Sequence, residues 1–126
     1  MDYLSEIKKN EKIQELEFAV RAKGDFKSLN KLALEAGRVA ASVLQANLDE
    51  AAIDENSSIE DIRSVVAPVL RENHQYVSEL TAVSINRMYK SNQIGLKAIN
   101  PEYDQSREDE IVEKISEMRF ADGSTQ

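Results

Sequence analysis

At 126 residues with a formal net charge of −7, the chain is the size of one ordinary domain, and roughly two-thirds of the unfolded surface of such a chain can be buried on folding. Hydrophobic residues make up 41% and charged residues 31%, with no Trp and only two Pro, a mix that favours helices and lacks the β-branched and aromatic runs that strands need. The acidic balance argues against a general nucleic-acid binder, the lack of Cys excludes disulfides and thiolate metal sites, and no stretch approaches the ~18 apolar residues of a membrane span.

The first segment reads as a helix over about 3–23, with Leu4, Ile7, Ile13, Leu16 and Val20 as its apolar positions and Gly24 as its stop. Its start carries no basic run leading into an apolar stretch, so the chain is expected neither to enter nor to cross a membrane unaided. Around Lys8, Lys9 and Lys12 the sequence is polar on all sides. Those lysines stand among Glu6, Glu11, Glu15 and Glu17, which reads as a solvated face with i,i+4 pairs better than as a nucleic-acid patch.

The second segment, about 26–47, has the clearest period in the chain: Leu29, Leu32, Ala36, Val39, Ala40, Val43 and Leu44 form one stripe. Ala33, Ala36, Gly37, Ala40 and Ala41 make part of its surface narrow, so a neighbouring helix can approach closely. Residues 49–57 are polar and aperiodic and read as a loop. Ser58-Ile59-Glu60-Asp61 then resembles a capping box opening a third helix, with early carboxylates suited to the helix dipole. That helix meets Pro68, where it should kink or restart, and the recurrence of Val69, Asn73, Val77, Leu80, Ser84 and Met88 carries it to about 91. Residues 92–104 leave the helical path, and Gln105 or Ser106 opens a last helix carrying Ile111, Ile115 and Met118. The expected fold is therefore all-α: a bundle of about four helices over 1–120, the third long and kinked or restarted at Pro68, followed at 121–126 by a tail with the composition of a linker.

Chemistry is harder to find. His74 is the only histidine, and the residue three before it is Arg71, so the Glu-x-x-His spacing of carboxylate-bridged diiron bundles is missing; a helix-surface or half-buried histidine is the plainer reading. Asp49, Glu50, Asp54 and Glu55 cluster without the spacing of a calcium loop and read as solvated charge. The glycines stand singly at Gly24, Gly37, Gly95 and Gly123, which builds no phosphate cradle, and no Gly-x-Ser-x-Gly elbow is present. No catalytic, cofactor or metal residue is therefore assigned. Ile94, Leu96, Lys97, Ile99 and Tyr103 lie in the stretch between the last two helices and are read as surface left for a protein partner.

The run Ile94-Gly95-Leu96-Lys97-Ala98, with Pro101, Gln105, Arg107, Asp109, Ile111-Val112 and Lys114-Ile115-Ser116 after it and the segment from Pro68 to Val77 before it, resembles the N-terminal region of minor head proteins of tailed phages. The resemblance covers about 29–116, and departs from the family's pattern at Ser106, Glu110 and Asn92-Gln93. It implies a non-catalytic component of the virion, made in the host cytoplasm and placed in the capsid interior or at the portal vertex. Its partners would be portal or capsid proteins, with a homo-oligomer left open, and its role head morphogenesis and DNA packaging or delivery. It also implies a further Cys-rich region beyond the tail, so the chain reads as an excised domain or a shortened product. The competing expectation is a small acidic regulatory protein, an inhibitor or nucleic-acid mimic, which the −7 charge permits.

Overall fold

A computed structural model of the chain describes residues 1–90 and 102–121. Among these residues there are five α-helices and no strand: α1 (Tyr3–Lys9), α2 (Glu11–Lys23), α3 (Phe26–Glu50), α4 (Ile59–Lys90) and α5 (Gln105–Ala121). The all-α reading holds, with one more helix than expected.

The extra helix arises because the first expected helix is two. Ile7 and Ile13 are both buried, and on one α-helix six residues turn a side chain by about 240°, so an unbroken helix could not aim both at one core. Asn10 resets the phase. Its N–H donates to the Ile7 carbonyl at 3.2 Å, ending α1, and its side-chain oxygen accepts from the Ile13 N–H at 3.0 Å, capping α2. Gln14 Nε2 also donates to the Ile7 carbonyl at 3.0 Å, so the end of α1 is held by the start of α2.

Gly24 stops α2 as expected, at φ +66°, and the turn lies close against α4: Ser84 Oγ donates to the Gly24 carbonyl at 2.8 Å. A Cβ at Gly24 would stand 2.8 Å from both the Ser84 carbonyl oxygen and Arg87 Cβ, so the joint needs glycine for its backbone and for its space. Asp25 caps α3 by accepting from the Lys27 N–H, and the predicted stripe becomes the core, with Leu29, Leu32, Ala36, Ala40 and Val43 buried and Val39 and Leu44 packed beside them. Gly37 faces open space on the other side.

At its far end α3 runs to Glu50, a few residues past the expected stop, and closes in a Schellman turn: the Ala52 N–H reaches the Asp49 carbonyl at 3.1 Å and the Ile53 N–H the Leu48 carbonyl at 3.2 Å. Leu48 and Ile53 are buried in the same cluster, which is the hydrophobic contact that accompanies this turn. Ser58 and Asp61 form the expected capping box in reciprocal bonds of 3.0 Å each, with Asp in the usual Glu position. From there α4 continues through Pro68, which lies within the helix and is exposed, so no restart occurs there.

Two apolar clusters result. The larger joins Tyr3 and Ile7 of α1, Ile13 and Val20 of α2, the α3 stripe, and Val69 and Leu80 of α4. The smaller holds Leu48 of α3, Ile53, Ile62 and Val66 of α4, and Val112 of α5, with Ile111 and Ile115 packed against it. Leu44 touches both, and α5 docks on α4.

Candidate functional site

The highest concentration of polar chemistry among the described residues lies where α5 meets α4. Asp104 caps α5 by accepting from the Arg107 N–H at 3.0 Å, which sets the rotation of the first turn and puts Glu108 at the head of a stripe continued by Ile111, Val112 and Ile115. Glu108 therefore enters the molecule where an apolar residue would be expected. It is 1% exposed, and it is the one buried carboxylate among the described residues.

Its charge is met by three hydrogen-bond donors and a further ion pair. Oε1 accepts from the Tyr103 hydroxyl at 2.7 Å and lies 3.5 Å from Arg71 Nη2; Oε2 accepts from Arg63 Nη1 and from Gln105 Nε2 at 2.6 Å. A carboxylate offers about four lone-pair directions, and three of those on Glu108 accept hydrogen bonds while Arg71 adds its charge. Burial pushes the Glu108 carboxyl up, but the bonds from Tyr103, Gln105 and Arg63 together with the Arg71 charge outweigh it and hold the group below the ordinary glutamate range. Arg63 also bonds Asp109 Oδ1 at 2.9 Å, which with Gln105 holds Asp109 low as well. The Tyr103 hydroxyl is pushed up to about 12, first by burial and then by its bond to Glu108.

A groove of about 590 Å³ opens beside this cluster, lined by Arg71, His74, Ser78, Glu79, Tyr103 and Gln105 among others. The His74 and Tyr103 rings meet edge to face, 5.4 Å between centroids, and the Arg71 guanidinium lies 5.6 Å from the Tyr103 ring centre. His74 Nε2 stands 3.4 Å from Ser78 Oγ. Chemically the arrangement fixes a helix: three hydrogen bonds and an ion pair hold the Glu108 carboxylate at the joint of α4 and α5.

Of the residues expected to face a partner, Tyr103 is turned inward onto Glu108, while Ile94, Leu96, Lys97 and Ile99 lie outside the described residues. His74 is half-buried, as its helical setting suggests. The acidic group of Asp49, Glu50, Asp54 and Glu55 is exposed: Gln45 donates to Asp49 at 3.1 Å, the Asn56 N–H to Asp54 at 2.8 Å, and Glu50 lies 3.8 Å from the N-terminal ammonium of Met1. Among the described residues no group of three or more His, Cys, Asp or Glu side chains is placed to hold a metal ion, and no helix is long and apolar enough to cross a membrane. Lys12 bridges to Glu35 at 3.1 Å and Lys9 to Glu6 at 3.5 Å, so two of the three early lysines belong to mixed-charge pairs.

Sequence reasoning does not single out Glu108. Its signal is nevertheless present: a carboxylate at the leading position of the Ile111, Val112 and Ile115 stripe, which must be neutralised if that stripe is buried. The partners Arg63 and Arg71 lie far back along the chain, and no local pattern names them.

No protein-family model, no curated protein and no solved structure matches this chain.

Proposed function

We propose that the chain is a non-catalytic helical interaction module, and that its setting is the head of a tailed phage, where it docks at the portal or inner capsid during head morphogenesis and DNA packaging or delivery. The bonded carboxylate supports the first half: the one buried acid among the described residues is spent on joining two helices, with three hydrogen bonds and an ion pair on its two oxygens. The phage setting rests on the resemblance of the stretch from Ile94 to Ser116 and its upstream helix. The contact residues within it are Ile94, Leu96, Lys97 and Ile99, with Tyr103 anchoring the return of the chain onto α5. A bend of α4 at Pro68, where the ring removes one backbone bond and crowds the preceding turn, belongs to the same proposal.

The mimic reading gains nothing from the charge arrangement. Several acidic side chains pair with cations, as in Glu17 with Arg21, Glu35 with Arg38 and Lys12, and Asp109 with Arg63, so the signs are interspersed at those places. The test is capture of the whole chain by purified portal rings, with circular dichroism showing that it is helical under the same conditions. Binding that is weakened by Leu96→Asp or Ile99→Asp supports the proposal; a folded chain that fails to bind rings and capsid shells at micromolar concentration sinks the phage setting.

A further inference from the structure

We infer that α5 is a separable unit of the fold, latched onto α4 through Glu108 and able to open while α1 to α4 stay folded. Among the described residues α5 docks on α4 and on no other helix. Among its described side chains the apolar hold is small: Val112 is fully buried, Ile111 and Ile115 are half-buried, and Met118 is 69% exposed. One buried valine with two partial neighbours is a thin basis for ordering a helix of 17 residues against its chain entropy. The rest of the hold falls to the carboxylate and its donors.

Those donors are placed so that parting leaves no charge stranded. The Arg63 and Arg71 side chains are 29% and 58% exposed, so both guanidinium groups already touch water, and Glu108 would be carried into solvent with α5. Opening therefore exchanges each protein bond for hydration, and its chief remaining cost is exposure of the cluster that Val112 shares with Leu48, Ile53, Ile62 and Val66. The other four helices have no such seam. They share one cluster to which each contributes buried side chains, and cross-links tie α4 back to the others: Tyr3 Oη to Asn73 at 2.6 Å, Tyr76 Oη to Glu17 at 2.6 Å and Ser84 Oγ to the Gly24 carbonyl at 2.8 Å. Local opening is expected where buried apolar contacts are few and exchangeable polar ones are many, and α5 meets both conditions.

Hydrogen exchange on the full chain at neutral pH, read by mass spectrometry as protection factors, tests this. In the unaltered chain, peptides from 105–118 should be protected at least about tenfold less than peptides from 29–43, the scale set by one hydrogen bond to a charged group. Glu108→Gln, which keeps the shape and removes the charge, should lower protection of α5 by about tenfold more and leave α3 unchanged, with Tyr103→Phe acting in the same direction but less. Equal protection of α5 and α3 in the unaltered chain, or a Glu108→Gln effect spread evenly over both, would overturn the inference. The difference within the unaltered chain remains decisive even if Glu108→Gln does not fold.

Discussion

The two ends of α4 are held by different chemistry. Its middle and C-terminal part lie against α2 and α3 through Val69 and Leu80, and the polar side chains there, Tyr76, Ser84 and Arg87, bond to a carboxylate at the rim or to backbone carbonyls. Its N-terminal part holds α5 around a buried carboxylate with three hydrogen-bond donors and an ion pair. Apolar burial tolerates small shifts but depends on volume, whereas a charged cluster depends on geometry and loses most of its value when one partner leaves. The first kind of packing should fail everywhere at once and the second locally.

The largest effect should therefore come from the apolar region. Leu32 is 0% exposed in the middle of the α3 stripe, and Leu32→Ala should lower global stability by about 3 kcal/mol through lost burial and the cavity left behind. Urea denaturation followed by circular dichroism measures it, and α1 to α4, which share the larger cluster, should melt in one transition at lower denaturant. A variant in which part of α1 to α4 melts before the rest would mean that the larger cluster is not the common support of those four helices.

Gly24→Ala probes the same region at its tightest joint. An alanine forced into left-handed backbone, with its Cβ 2.8 Å from the Ser84 carbonyl, should cost about 2 kcal/mol, and the cost should fall on the contact between the α2–α3 turn and α4. Thermal unfolding of Gly24→Ala beside Gly37→Ala separates space from propensity. Gly37 is helical and faces open space, so alanine there should be neutral or slightly stabilising.

The charged end should respond less in total and more selectively. Glu108→Gln should cost about 1 to 2 kcal/mol, confined to α5, by weakening the bonds from Arg63 and Tyr103. Acid should imitate it. Because Glu108 titrates below the ordinary glutamate range in the fold, its contribution is complete at neutral pH and is lost as the pH falls through that lowered value. Asp2 and Asp25, the caps of α1 and α3, are held low by bonds from Ser5 and Ser28 and fade in the same acid range, so acid alone does not distinguish the two regions. Stability should be flat from pH 7 down to the carboxylate range and fall below it, and Glu108→Gln should flatten part of that fall.

How far the sequence reveals this division follows from the range of each interaction. The α3 stripe, the capping box at Ser58 and Asp61 and the glycine stop at Gly24 are contacts between near neighbours, and each is written in spacing alone. The break at Asn10 is legible in principle from the six-residue step between Ile7 and Ile13, but a count of apolar positions without their angles passes over it. Proline at 68 weighs less than its residue type suggests: an exposed ring inside a helix of 32 residues, anchored by apolar contacts on both sides, does not end it. The Glu108 cluster is out of reach, because the Arg63 that completes it is 45 residues away.

The smallest predicted effect has the opposite sign. Ala52 occupies the left-handed position of the Schellman turn at φ 54°, where the equivalent stop of α2 uses Gly24. A Cβ is unfavourable in that backbone, yet Ala52 is exposed and meets no clash comparable to that at Gly24. Ala52→Gly should therefore relieve local strain while adding some freedom to the unfolded chain, for a net gain of about 0.5 kcal/mol. Paired thermal melts would show it as a small upward shift. Because this turn sets Ile53 beside Leu48 in the cluster that α5 covers, the gain should raise the protection of α3's end without altering Glu108 and its donors. A loss of stability would mean that Ala52 makes apolar contacts outweighing its backbone strain, and that the turn, like the joint at Gly24, is fixed by packing.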